Sequence, residues 1–187
     1  MRILNYSATI SLDGYISDAA GGIEWATPSE DVFAMHLERI SKVSTEILGR
    51  RTYELMEYWE TMSDQEANTA AEQDFAHYWQ AIKKVVVSST LTARRLASPR
   101  ARIIPELSLS DVRKIVAEST GNVEIFGPTT ASESIRAGLI DRFDLFVFPI
   151  SLGRGRKALP NGAYRKLKLT QQKPFDNGTV FLRYERQ

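Results

Sequence analysis

Gly49-Arg50-Arg51-Thr52-Tyr53-Glu54 follows the apolar pair Ile47-Leu48 and opens a segment with helical spacing. A strand that turns through glycine into a helix brings the first free N–H groups of the helix to one point. The helix dipole adds partial positive charge there, which suits an anion and phosphate above all. Arg50 and Arg51 add formal charge. The same residues also fit a plain helix start with Thr52 as N-cap and two solvated arginines. The rest of the chain weighs between the two.

Upstream, Thr45 to Leu48 is the strand that feeds this turn. Before it, Val32, Phe33, Leu37, Ile40 and Val43 recur at helical spacing, with Ser29 or Glu30 at the helix start. Residues 18–28, with Gly21-Gly22 and Pro28, read as a loop. Ile3 to Ile10 reads as a first strand, continued by Ser11-Leu12-Asp13-Gly14-Tyr15-Ile16 through a tight glycine bend. Downstream, the Gly49 helix fades near Trp59, and Asn68 to Ile82 carries Ala71, Phe75, Tyr78, Trp79 and Ile82 on one helical face.

Lys84-Val85-Val86-Val87 has the run of apolar residues expected of a strand buried on both faces of a parallel sheet. Ile103-Ile104 is a brief strand, Asp111 to Glu118 a helix, Val123 to Phe126 a strand, Thr130 to Ala137 a helix and Phe143 to Phe148 a strand. This alternation predicts an α/β fold with a largely parallel sheet. Tyr164 to Leu169 and Thr179 to Tyr184, separated by Lys173-Pro174 and Asn177-Gly178, predict a closing antiparallel pair. No internal repeat, low-complexity tract or linker divides residues 1–187, so one domain is expected.

With 187 residues, 43% of them hydrophobic, such a domain buries about 70% of its unfolded surface. Twenty-four basic against 23 acidic side chains leave a net charge of +1. No bulk electrostatic term therefore favours nucleic acid or an anionic membrane, and any anion site must be local. The absence of cysteine excludes disulfides, thiolate catalysis and cysteine-based metal centres. Met1-Arg2-Ile3-Leu4-Asn5-Tyr6 turns polar too early for a signal-peptide core, and no apolar run nears the ~20 residues of a membrane span. The expectation is a cytoplasmic protein.

Ligands of open α/β sheets gather beyond the carboxyl ends of the parallel strands. Here those positions hold Gly49-Arg50-Arg51-Thr52, then the hydroxyls Ser88-Ser89-Thr90, then Gly127-Pro128-Thr129-Thr130, a second glycine turn that opens a helix. Two helix N-termini and a hydroxyl cluster on one edge point to a dinucleotide with a small-molecule substrate. Taken singly, each has an ordinary structural explanation, strand termination for the serines and a plain turn for Gly127-Pro128.

The chain resembles the dihydrofolate-reductase-like fold. Within that fold it is similar to small bacterial proteins related to the C-terminal reductase domain of the bifunctional riboflavin-pathway deaminase-reductase. The matching pieces are Ser11-Leu12-Asp13-Gly14-Tyr15-Ile16, the Gly49–Glu54 turn, Val87-Ser88-Ser89, Gly138-Leu139-Ile140-Asp141 and Pro149-Ile150-Ser151-Leu152-Gly153-Arg154-Gly155, in family order over nearly the whole chain. The resemblance implies a three-layer α/β/α sandwich, a homodimer, and NADPH as hydride donor. It implies Arg50, Arg51 and Thr52 at the phosphates, Ser88 and Ser89 at the adenosine end, Gly127 to Thr130 at the pyrophosphate, and Ala8 and Ile16 beside the nicotinamide. Where the family usually has a glycine pair this chain has Gly127-Pro128. A cis peptide costs only ~0.5–1 kcal/mol before proline, so a cis Gly127-Pro128 bond is expected, with the Thr129 and Thr130 hydroxyls replacing the lost N–H donor.

For the proton that must accompany a hydride, two carboxylates are nominated. Trp25-Ala26-Thr27-Pro28-Ser29-Glu30 is similar to the stretch in which dihydrofolate reductases keep their pterin-binding carboxylate, which points to Glu30, with Asp31 as neighbour. Asp13 is the other. The alternatives are first-turn acids that complement a helix dipole, and a side chain that bonds the Asp13-Gly14 bend. Gly153-Arg154-Gly155-Arg156-Lys157 suits a substrate phosphate or a solvated basic loop, and Trp59, Tyr53 and Phe148 suit a flat-ring pocket or plain core. His36 and His77 lack a second ligand at metal spacing. Three activities fit: reduction of the phosphoribosylamino-uracil intermediate, reduction of dihydrofolate, and NADPH binding by a dimer without catalysis. The pathway name is weakened by Phe126, where those reductases usually place Glu, and by the lack of a deaminase half.

Overall fold

The computed structural model describes residues 2–67 and 69–187. Its helices are α1 (Glu30–Ile40), α2 (Arg50–Thr61), α3 (Ala70–Ala81), α4 (Leu109–Glu118) and α5 (Pro128–Arg136). Its strands are β1 (Leu4–Ser11), β2 (Tyr15–Ser17), β3 (Val43–Gly49), β4 (Lys83–Val87), β5 (Ala101–Ile104), β6 (Asn122–Phe126), β7 (Arg142–Phe148), β8 (Arg156–Lys157), β9 (Leu167–Pro174) and β10 (Val180–Arg186). Eight of them form one sheet in the order β5-β4-β3-β6-β1-β7-β10-β9, and β2 pairs with β8 apart from it. The pairs from β5 to β7 are parallel, while β10 runs antiparallel to both β7 and β9.

Strand alternation divides the side chains between two layers. On one face Leu4, Tyr6, Ala8 and Ile10 of β1 join Ile47, Val85, Val123 and Ile125 under α4 and α5. On the other face Leu48 and Val86 pack with Tyr53, Phe75 and Trp79 of α2 and α3, and Phe146, Phe148 and Phe181 pack with Val32 of α1. The result is the expected three-layer α/β/α arrangement.

Several elements differ from the sequence expectations. Asn68 lies outside the described residues, and α3 begins at Ala70, where the Thr69 hydroxyl accepts the N–H of Glu72 at 3.1 Å. Val43, grouped by spacing with α1, opens β3. The Tyr164–Leu169 strand starts instead at Leu167 and runs through Pro174; an outer strand tolerates a proline whose missing N–H no neighbour needs. Gly49, not Thr52, is the N-cap of α2. No described helix is long and apolar enough to cross a membrane.

A buried ion pair closes the α2–α3 side. Lys84, fully buried, places Nζ 2.8 Å from Glu60 and donates to the carbonyls of Trp79 (2.6 Å) and Ile82 (3.3 Å). Removing one partner of such a pair strands the other charge away from water. Lys84→Ala is expected to cost ~3–5 kcal/mol, measured by denaturant unfolding, whereas the double change Lys84→Met with Glu60→Gln costs clearly less.

Candidate functional site

The parallel register decides which turns meet. Gly49 is level with Val87 and Leu48 with Phe126, while Tyr6 pairs with Ile125. The carboxyl ends of β4, β3, β6 and β1 therefore follow one another along a single edge, and all three turns nominated from the sequence leave from it.

Two of those turns interlock. Gly49 caps α2 and Gly127 caps α5, and neither helix start has a side-chain cap, so no side chain competes for the backbone N–H groups there. A Cβ on Gly49 would stand 2.8 Å from the Thr130 hydroxyl, and one on Gly127 would stand 3.3 Å from the Thr52 hydroxyl. A side chain at either position would crowd the threonine hydroxyl of the opposite turn. Gly127 also has φ 85°, a conformation that L side chains rarely adopt. That rotation makes the bend by itself. The Gly127-Pro128 peptide is consequently trans, not cis as expected, and Pro128 takes the first helical position, where its missing N–H costs nothing.

Arg50 and Arg51 diverge from these turns. Arg50 Nη1 donates to the Thr90 hydroxyl at 3.1 Å, and its Nε lies 3.6 Å from Glu54. The Ser88 hydroxyl beside it accepts the N–H groups of Thr90 (3.2 Å) and Leu91 (3.0 Å), while Ser89 is exposed. Arg51 instead shares an open pocket with residues 17–21, Gly155 and Arg156. Arg156 Nη1 donates to the Thr129 hydroxyl at 3.2 Å and so ties the basic loop to the start of α5. Ala8 is buried in β1, and Ile16 of β2 packs against the same core cluster.

Asp13 and Glu30 occupy unlike settings. Asp13 accepts from the Ser11 hydroxyl (2.6 Å), the Ser151 hydroxyl (3.0 Å) and the backbone N–H groups of Leu152 (3.1 Å) and Gly153 (2.6 Å). These bonds, that from Ser11 foremost, hold its carboxyl far below the usual carboxylate range. A group so held stays anionic near neutrality and clasps the 151–153 loop, so the proton-donor role expected of Asp13 does not suit it. Glu30 is exposed in the first turn of α1, the setting of an acid that complements a helix dipole. Its neighbour Asp31 accepts from the Ser29 hydroxyl and from the N–H of Val32, which lower its pKa.

The aromatic nominees belong to the core. Tyr53 is buried with its hydroxyl accepting the N–H of Ala97 at 2.9 Å, Phe148 packs edge-on to Trp25, and Trp59 packs against Phe33 and Phe75. His77 meets Asp64 at 2.8 Å on the surface, and His36 lies 4.0 Å from the Phe146 ring. What the sequence reasoning missed is a polar layer under α1. There Arg39 pairs with Glu124 and lies over Phe126, the residue that leads into Gly127. Acids in the middle of the strands Thr45-Glu46-Ile47-Leu48 and Val123-Glu124-Ile125-Phe126 were the available signal.

Comparison with known proteins agrees with this architecture. The uncharacterized protein YyaP of Bacillus subtilis (strain 168) is 23% identical over 177 residues, spanning 94% of this chain and 90% of its own. A crystal structure described as a putative riboflavin biosynthesis protein from Shewanella sp. PV-4 superposes with a TM-score of 0.75 at 20% identity, covering 99% of each chain. Dihydrofolate reductase from Enterococcus faecalis, complexed with NADP(H), superposes with a TM-score of 0.62 at 14% identity, covering 98% of this chain and 96% of that one. The family model described as the RibD C-terminal domain matches residues 2–181, so the chain belongs to the RibD C-terminal domain family.

Proposed function

We propose that this protein is an NADPH-dependent reductase that transfers a hydride to a small heterocyclic, pteridine-like substrate. Reduction of 5-amino-6-(5-phosphoribosylamino)uracil is the activity its family favours. The observation that carries the proposal is the close approach of two helix N-termini without side-chain caps, those of α2 and α5, at glycine turns where a side chain on either glycine would crowd the threonine hydroxyl of the other turn. Membership in the RibD C-terminal domain family supports the redox chemistry, and the Enterococcus faecalis reductase supports NADP(H) as the cofactor class.

The four strand ends set an order for the contacts. Neighbouring strands lie about 4.8 Å apart, so β4 to β1 spans ~14 Å along the edge. Arg50, with Ser88, Ser89 and Thr90 at the β4 end, suits the adenosine ribose and its 2′-phosphate. The N–H groups of Arg50, Arg51, Thr52, Thr129 and Thr130, together with the Arg51 and Arg156 guanidiniums, suit the pyrophosphate. Ala8, small and buried, and Ile16 would leave room for the nicotinamide and shield it from water. When bound, NADPH supplies the hydride. Of the two nominated carboxylates Glu30 has no side-chain partner among the described residues, so the proton relay would fall to it.

One observation favours a second reading, NADPH binding without turnover: Asp13 is committed to a loop and Glu30 stands in solvent. Dihydrofolate reduction depends on Glu30 reaching the substrate and is disfavoured for the same reason.

Fluorescence titration with NADPH and NADH tests the cofactor; failure of both to bind removes every form of the proposal. Cofactor oxidation with phosphoribosylamino-pyrimidine or pteridine substrates separates a reductase from a binder. Arg50→Ala is expected to weaken NADPH about tenfold and NADH little, because charged hydrogen bonds contribute ~1.5–3 kcal/mol. Arg51→Ala should weaken the two cofactors alike, and a 2′-phosphate preference lost only in Arg51→Ala would reverse the assignment.

A further inference from the structure

Beneath α1 the sheet carries a cluster of buried charges between the apolar packing of Leu48 and Val86 on one side and that of Phe146, Phe148 and Phe181 on the other. Glu46 of β3 and Glu124 of β6 are register partners on adjacent parallel strands, so their side chains project to the same side. They are 1% and 0% exposed. Arg39 reaches down from α1 to pair with Glu124, and its guanidinium carbon lies 5.3 Å from the centre of the Phe126 ring. Asn5 of β1 donates to both Glu124 (2.7 Å) and Asp144 of β7 (3.2 Å), and Arg183 of β10 takes Asp144 through two bonds of 2.7 and 2.9 Å.

Charges in this layer do not balance. Three carboxylates, Glu46, Glu124 and Asp144, face two guanidiniums, Arg39 and Arg183. Lys84 on the neighbouring β4 is engaged by Glu60 of α2. His36, one turn before Arg39 on α1, is pushed down to about 3 by burial and by the Arg39 charge, so it contributes no cation. Glu46 Oε2 has no hydrogen-bond partner among the described residues. An unmatched buried carboxylate takes up a proton rather than stand ionised, and two adjacent carboxyl groups resist ionising together.

We propose that Glu46 and Glu124 hold one proton between them at neutral pH and that this proton, acting through Arg39, positions Phe126 and the β6–α5 turn. While the proton is present, Arg39 serves Glu124 and stays over Phe126. Its loss leaves two anions competing for one guanidinium, and Arg39 is drawn towards Glu46 and off the aromatic ring that precedes Gly127. A small cavity lined by Asn5, Glu38, Arg39, Lys42, Asp144 and Arg183 adjoins this layer on the side of Arg39 and Asn5, the two residues that pair with Glu124. The consequence for the turn rests on the cofactor reading above; the shared proton does not.

Burial is the main force on Glu46, raising it from 4.5 to about 7 against the attraction of Arg39 and Lys84. A folded-state value above the unfolded one gives stability that is complete below pH 4.5 and lost as the pH rises to about 7. His36 acts with the opposite sign, adding stability as the pH rises from about 3 to 6.5. The wild-type curve therefore mixes the two, and the difference from Glu46→Gln isolates the carboxyl group.

Thermal unfolding midpoints of wild type and Glu46→Gln, followed between about pH 5 and about pH 8, test the proton. The gap should move in favour of Glu46→Gln up to about pH 7 and then level off. Should Glu46→Gln fail to fold, infrared spectra of the wild type replace it: the carbonyl band of a protonated buried carboxyl should be present at about pH 6 and gone by about pH 8. Parallel stability curves, or no such band, overturn the shared proton. NADPH titrations over the same range test the positioning, with wild-type affinity falling about fivefold through neutrality and that of Glu46→Gln changing less. Identical pH profiles of affinity overturn it. Absence of NADPH binding at every pH overturns the cofactor reading and the positioning with it, and the stability gap still decides the proton.

Discussion

Parallel pairing of β4, β3, β6 and β1 is the constraint on which the remaining features depend. A chain that enters each strand from the same end must leave each from the same end, so the turns after Gly49, Val87 and Phe126 have no choice but to be neighbours. Their contents then matter jointly. The Thr52 and Thr130 hydroxyls approach the opposite glycine because the two turns are one strand spacing apart, and Arg50 meets Thr90 because β4 is the next strand over.

The two faces of the sheet are stabilised by different means. Under α4 and α5 the packing is mainly apolar, with Tyr6 donating its hydroxyl to the carbonyl of Ala158, and depends chiefly on burial, at about 25 cal/mol per Å² of apolar surface removed from water. Under α1 a layer of ions and amides replaces part of that packing, and its contribution is geometric more than energetic. Replacing such a layer by apolar residues is often neutral or stabilising. What the ions add is direction: Arg39 and Arg183 have their carboxylates at fixed positions on β6 and β7, and α1 cannot slide along the sheet without leaving charge unpaired.

Much of this was legible in the residues. Val85-Val86-Val87 reads as a central strand because nothing in it tolerates water, and both glycine turns were readable because few residues fit between a strand and a helix that crowd each other. Where the reading fell short, the cause was a choice that local sequence does not make. Val43 satisfies both the helical and the strand period, and sheet pairing decides. Pro174 marks a turn only if the strand that holds it is internal. Asp13 and Glu30 are residue types that serve a loop, a dipole or a proton equally well, and only the positions of Ser151, Leu152 and Gly153 disclose that Asp13 is a clasp. Glu46 and Glu124 were passed over because an acid within a strand is ordinarily a solvent-facing residue, and the helix above them comes from elsewhere in the chain.

Outer strand β9 has its own consequence. Its side chains are almost all exposed, and its register against β10 is interrupted by a bulge between Arg183 and Tyr184. A second molecule adding its own β9 in antiparallel fashion about the Thr170–Gln171 midpoint would bring Lys168 opposite Lys173 twice over, like charge against like. The sheet thus ends in a strand that discourages its own template from continuing, a safeguard against ribbon-like aggregation written into two lysines and a kink.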